Sequence, residues 1–265
     1  MEAAGSARPL KIIREPRVYL VGRQAVDPQV IERFLTEHEL EWSTDTGVGA
    51  EVLAEMAGRL CYLSYGKGRK SNREFLEHLI EVGHGSVLEH AAWSFLFTGV
   101  SRSLTHELVR HRAGWAYSQL SQRYVDESGS PYVEPDVIAN DPALHAEWVE
   151  AVEVARRAYD RLVAGLERHY AAEPDRTLRR KLARQAARSV LPNATETRIF
   201  VTANARALRH FIEMRGSEAA DVEIRKVALQ VLELMRRESP ALFSDYELVP
   251  LPDGGQAVRT THPKV

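Results

Sequence analysis

The chain reads as an α+β protein. Three observations predict that class. Short apolar strand candidates are few and widely spaced, the helical stretches between them are long, and no regular strand–helix–strand alternation links them. With 265 residues, 44% hydrophobic and 27% charged, the chain can bury an ample core as one domain. We read residues 1–16 as a tail, 17–252 as the domain and 253–265 as a second tail.

Taken in order, Val18–Val21 is a short apolar strand closed by Gly22. Asp27 followed by Pro28 opens a helix with Val30, Ile31 and Phe34 on one face. A second helix spans about Ala50 to Tyr62. Ser71 with Glu74 forms a capping box ahead of a helix carrying Phe75, Leu76, Leu79 and Ile80, and Gly83 stops it. Trp93–Phe97 alternates large rings with Ser94 and Leu96, predicting a strand with one aromatic face. The period turns helical from Ser101 to Arg112, and Gly114 leaves residues 113–125 irregular or extended. Two long helices follow, about 142–170 and 176–190, with Pro192 closing the second. Arg198–Thr202 is a strand, Asn204 caps a helix to Met214, and a last helix covers Ser217 to Arg237. A weak strand lies near Tyr246–Leu251.

Composition narrows the function classes. A formal net charge of −2 gives no bulk attraction to nucleic acid or to an anionic membrane, so any anion site is local. No apolar run is long enough to span a bilayer, and Met1–Pro9 has no apolar signal core, which predicts a cytoplasmic enzyme. Asn193-Ala194-Thr195 matches a glycosylation acceptor but carries no weight in that setting. The single Cys61 excludes an intramolecular disulfide and any multi-cysteine metal site. On a mainly apolar helix it reads as inert core rather than as a nucleophile.

Several motifs are missing. Neither Gly47-Val48-Gly49 nor Gly66-Lys67-Gly68 continues into a dinucleotide fingerprint, and no phosphate-loop lysine follows a glycine loop. Histidines 78, 84, 90, 106 and 111 lack a ligand spacing, so no metal site is expected. Arg176, Arg179, Arg180, Lys181, Arg184 and Arg188 form a basic helix that reads either as a solvated face or as phosphate capture by Arg180, Arg184 and Arg188.

The richest segment runs from Arg110 to Tyr124. It packs three arginines and a histidine beside Ser118, Gln119, Ser121 and Gln122. Guanidinium forks suit bidentate capture of phosphate or carboxylate, and the amides and hydroxyls can read a ring's polar edge. A helix dipole would account for one or two of these cations at a C-terminus, but not for the polar run that follows. The segment reads as a nucleotide pocket.

Arg110-His111-Arg112 followed by Ser121, with Gln119, Gln122, Arg123 and Tyr124 around it, resembles the defining motif of the flavin-dependent thymidylate synthases. Gly83–His90 is similar to that family's flavin-contacting segment. Ser101–Glu107, Arg184–Arg198, Asn204–Arg206, His210 and Met214-Arg215 follow in family order, so the likeness spans roughly residues 50–240. The resemblance implies that family's fold, a small and mainly antiparallel sheet packed with long helices.

It also implies a chemistry: methylation of dUMP to dTMP with FAD, methylenetetrahydrofolate as carbon donor and NADPH as reductant, in a homotetramer with shared sites. Flavin is expected at His84, Ser86, Glu89, Arg110, His111, Arg112, Gln119, Asn204, Arg206 and His210. The nucleotide is expected at Arg102, Glu107, Arg110, Gln119, Leu120, Ser121, Gln122, Arg123, Arg188 and Arg215. Arg215 is the expected catalytic residue, stabilising charge on the uracil ring, and Ser121 positions the substrate.

Two features depart from the family pattern. Eight residues, Ala113 to Leu120, separate Arg112 from Ser121 where seven are commonest, and Ala219 stands where many members carry a histidine. A longer turn suits UMP methylation as the alternative activity. An inactive flavin-binding relative, and an RNA-binding protein using the basic helix, are the other readings.

Overall fold

The computed structural model describes residues 9–265. In chain order its elements are β1 (Ile12–Ile13), β2 (Arg17–Arg23), α1 (Pro28–Glu37), α2 (Gly49–Cys61) and α3 (Asn72–Glu81). Then come β3 (Ala92–Ser101), α4 (Arg102–Leu108), β4 (Trp115–Gln119), β5 (Tyr132–Val133), α5 (Asp136–Ala139), α6 (Pro142–His169) and α7 (Arg176–Ala187). The rest are β6 (Glu196–Asn204), α8 (Ala205–Arg215), α9 (Val222–Glu238), α10 (Pro240–Phe243), β7 (Tyr246–Pro250) and β8 (Gln256–Thr260). Short strands among long helices make this an α+β fold.

The chain divides into two compact units. The first holds residues 9–17, Phe97–Leu108 and Ser118–Ile199. Its β1, within the stretch read as a tail, pairs in parallel with β5 (Ile12 opposite Tyr132). Asp141 and Asp175 cap α6 and α7 through their carboxylates. These two helices pack on each other, and α6 buries Val152, Arg156 and Tyr159. The second of the long helices ends at Ala187, and residues 188–190 tighten into a 3₁₀ turn. Helix α4 stops at Leu108, four residues before the predicted end.

The second unit holds Val18–Leu96, Val109–Tyr117 and Phe200–Val265. It contains most of β2, the first part of β3, the last part of β6 and the start of β4, in the sheet order β2–β3–β6–β4. The aromatic face expected on β3 is present, with Trp93 and Phe95 buried and Ser94 bonded to Thr202 on β6 at 2.8 Å. Asp27, Ser71 and Asn204 cap α1, α3 and α8 as the sequence predicts. Helix α1 nevertheless buries no residue fully, and Val30 is exposed. Helix α9 begins at Val222 rather than Ser217, because Asp221 caps it and Ser217–Ala220 forms a turn. Strands β7 and β8 make an antiparallel hairpin reaching into the span read as the second tail. Cys61 corrects another expectation: at the last turn of α2 it is exposed, beside exposed Leu60 and Tyr62.

Candidate active site

The site begins where α4 ends. Arg110, His111 and Arg112 follow the helix rather than forming its last turn. Gly114, with φ +73°, then reverses the chain into β4. Its carbonyl accepts from the Asn204 backbone N–H at 3.1 Å, and a Cβ there would lie 2.6–2.8 Å from the Asn204 amide. Asn204 in turn caps α8 by accepting from Ala207 N at 2.9 Å. The motif turn is thus pinned to the helix that presents His210 and Arg215.

Within the second unit these segments line an open cavity of about 490 Å³, formed by Arg110, His111, Arg112, Ala113, Trp115, Ala207, His210, Met214 and Arg215. That is the size range of ligand sites. Arg215 Nε donates to His111 Nε2 at 3.1 Å. The rings of His111 and His210 lie 5.6 Å apart, and His111 also meets Trp115 and Phe211 edge-on or tilted. Burial, then the Arg215 and His210 charges, lower the His111 pKa to about 4. His111 is therefore neutral near pH 7. Tyr117 Oη donates to the His111 carbonyl at 2.6 Å, and burial pushes its phenol up.

Arg110 and Arg112 are exposed and enter no ion pair among the described residues. Two open guanidiniums, a neutral imidazole and the indole of Trp115 make a donor set suited to an anion bearing a flat ring. The sequence missed Trp115, which stacks on Tyr117 with rings 5.7 Å apart and 6° from parallel. The two-residue spacing on one strand face was the available signal.

Nearby in the same unit, Arg206 pairs with Glu89 at 2.6 Å, both about half exposed. Ser86 is exposed at the start of the 3₁₀ turn Val87–His90, and His84 stacks on Tyr62.

The remaining expected residues belong to the first unit. Arg102 donates to the Leu120 carbonyl at 2.7 Å and lies 3.9 Å from buried Glu127. Burial pulls the Arg102 guanidinium down, opposed by Glu127 and reinforced by Arg188. Gln119 donates to Thr105 at 3.0 Å, and Ser121 Oγ accepts from Arg123 N at 3.3 Å. Glu107 and Gln122 are half-buried, and Arg188 is exposed at the end of α7. On the basic helix Arg184 donates to the Tyr124 carbonyl at 2.7 Å and pairs with Asp126, so one member of its stripe is engaged within the protein.

Comparison with known proteins identifies the family. The family model described as "Thymidylate synthase complementing protein" matches residues 44–241. A flavin-dependent thymidylate synthase of Mycolicibacterium vanbaalenii is 53% identical over 224 residues, 83% of this chain and 89% of that protein. The protein of the same name from Mycobacterium tuberculosis is 52% identical over the same shares. Among solved structures, the UMP/dUMP methylase PolB of Streptomyces cacaoi, bound with 5-Br dUMP or with 5-Br UMP, superposes with a TM-score of 0.63. It is 22% identical, over 89% of this chain and 96% of PolB, and so supports the fold alone. Motif order, fold and extended identity converge, and the chain belongs to the thymidylate synthase complementing proteins, the flavin-dependent thymidylate synthases.

Proposed function

We propose that this chain methylates dUMP at C5 to give dTMP, with residues 17–252 as the catalytic domain. The observation that carries the reading is the cavity in which Arg110, His111 and Arg112 meet His210 and Arg215. The residues fit FAD: open guanidiniums for its phosphates and aromatic edges for its ring system. When bound, FAD carries reducing equivalents from NADPH, while methylenetetrahydrofolate supplies the carbon.

In this reading Arg110, His111, Arg112, Asn204, Arg206 and His210 hold the cofactor, and His84, Ser86, Glu89 and Gln119 also contribute to its binding. Arg102, Glu107, Leu120, Ser121, Gln122, Arg123 and Arg188 receive the nucleotide, and Arg110 and Gln119 serve both. Arg215 stabilises the negative charge that develops on the pyrimidine ring. Its guanidinium keeps its charge through the reaction, and its Nε is oriented by a neutral His111. We read the active form as a homotetramer whose subunits share sites. The cytoplasm is the compartment that fits.

UMP is the second reading, favoured by the extra residue in the turn at Ala113–Ala116, beside the cavity. The test is an anaerobic single-turnover assay with FAD, NADPH and methylenetetrahydrofolate, offering dUMP and UMP in parallel. Faster methylation of dUMP is the expected result. A clear preference for UMP reassigns the substrate, and flavin binding without either product removes the activity.

A further inference from the structure

We infer a second anion site in the second unit, a cleft beside the loop 62–71, for a ligand that joins several negative charges to an apolar or aromatic body. The cleft has a volume of about 610 Å³ and is lined by Leu35, Leu40, Trp42, Arg59, Lys67, Arg69 and Lys70, among others. None of the residues assigned above to flavin or nucleotide lines it.

A solvated lysine-rich loop is the ordinary explanation of such charges, and two features argue against it here. First, the loop backbone is held rigidly from below. The guanidinium of buried Arg59 donates to the carbonyls of Ser64, Lys67 and Arg69 at 3.2, 3.1 and 2.8 Å. Buried Glu55 fixes that guanidinium at 2.7 Å, and itself accepts from Trp42, Thr44 and Asn72. Gly66, at φ +66°, completes the turn in a space where a Cβ would lie 2.8 Å from the Glu41 carbonyl. A buried network of hydrogen bonds from Arg59 and Glu55 therefore sets the shape of the loop backbone.

Second, the three cations of the loop have no anionic partner among the described residues. Lys67, Arg69 and Lys70 enter no ion pair among the described residues, and of the lining residues only Glu41 carries a negative charge. Arg59 is neutralised by Glu55. The lining therefore keeps a surplus of positive charge over a floor of Trp42, Leu35 and Leu40. The Trp42 indole is fixed by its N–H bond to Glu55 at 3.2 Å and its edge contact with Tyr65. Cations carried on a fixed backbone beside an anchored aromatic ring suit a phosphate chain or an oligocarboxylate with a flat or apolar end.

Calorimetric titration of the full-length, FAD-loaded protein with tripolyphosphate and, separately, with tetraglutamate tests this. At least one probe is expected to bind, with affinity falling steeply as salt rises. Combining Lys67→Ala, Arg69→Ala and Lys70→Ala should weaken that binding at least tenfold while flavin absorbance and circular dichroism stay unchanged. Glu41→Gln should tighten it a few-fold. The probe that binds more tightly tells whether phosphate or carboxylate is the favoured anion. If neither probe binds, or if the triple variant binds as the parent does, the site is overturned. Should the triple variant not fold, Lys67→Gln and Lys70→Gln singly are each expected to weaken binding, and unchanged affinity in both overturns it equally.

Discussion

Arg215 Nε donates a hydrogen bond to His111 Nε2 at 3.1 Å, joining two residues 104 positions apart. An arginine never accepts, so the bond requires the lone pair of His111 Nε2 and places its ring proton on Nδ1. The geometry and the low pKa describe one state: a neutral imidazole holding a permanent cation in place.

Nuclear magnetic resonance titration of the histidines checks that state. The His111 ring should stay neutral to well below pH 6 and titrate near pH 4. Because its folded pKa lies below the unfolded value of about 6.5, the unfolded chain binds the extra proton first. Stability should therefore fall as pH drops from about 6.5 toward 4, and His111→Gln should remove that share of the slope. A His111 midpoint near 6.5 would show that the imidazole is neither buried nor held beside Arg215.

Arg215→Ala should abolish methylation while leaving fold and flavin binding largely intact. It should also raise the His111 midpoint, by removing one of the two charges that lower it, though burial keeps it below the ordinary value. Arg215→Lys tests the fork itself, since an ammonium keeps the charge but not the planar donor geometry. We expect a loss of turnover of at least tenfold. Near-normal turnover in the alanine variant would take Arg215 out of the mechanism.

How much of this was legible in the sequence depends on the range of the interaction concerned. The caps at Asp27, Ser71 and Asn204 are read correctly because each is a side chain meeting a backbone two or three residues away. The end of α4 is misread because the spacing of Leu104, Leu108 and His111 stays helical after the backbone has left the helix. Cys61 is misread because apolar neighbours mimic a buried face, and burial is decided by what packs from elsewhere. The meeting of His111 with Arg215 has no local signature at all. Only the resemblance put both residues in one site.

Exposed Cys61 carries its own consequence. Cys61→Ala should retain full turnover, since the reaction proposed here uses no thiol. The native protein should react with one equivalent of a disulfide reagent without prior unfolding. Loss of turnover in a folded alanine variant would reopen a cysteine route, and an unreactive native thiol would contradict its exposure.

Acid stability should depend on the fork from Arg209 to Asp245. Arg209 is buried, and its two terminal nitrogens donate to the two Asp245 oxygens at 2.7 Å each. Burial alone would raise the Asp245 pKa, but the bonds and charge of Arg209 overcome it and hold the carboxyl below its ordinary value. A depressed folded pKa gives stability that is present above the unfolded value of about 3.9 and lost as pH falls through the folded one. Asp245→Asn should flatten that acid limb. Leaving Arg209 without its carboxylate should cost about 3 to 5 kcal/mol in urea unfolding at pH 7. A cost under about 1 kcal/mol would mean that the fork adds little to the fold.

Gly114 is where the lengthened motif turn meets the rest of the site. Its φ of +73° is unfavourable for any residue with a Cβ, and that Cβ would collide with the Asn204 amide. Gly114→Ala should therefore act twice: about 1 to 3 kcal/mol from the backbone, and a further cost as Asn204 is pushed off the start of α8. Asn204→Ala separates the two, because it removes the cap at about 1 kcal/mol without straining the turn. If the turn positions the nucleotide, Gly114→Ala should also raise the KM for dUMP more than Asn204→Ala does. Equal stability and equal KM in the parent and the Gly114→Ala variant would show that the turn is free to move. In that case the extra residue could not be what sets the choice between dUMP and UMP.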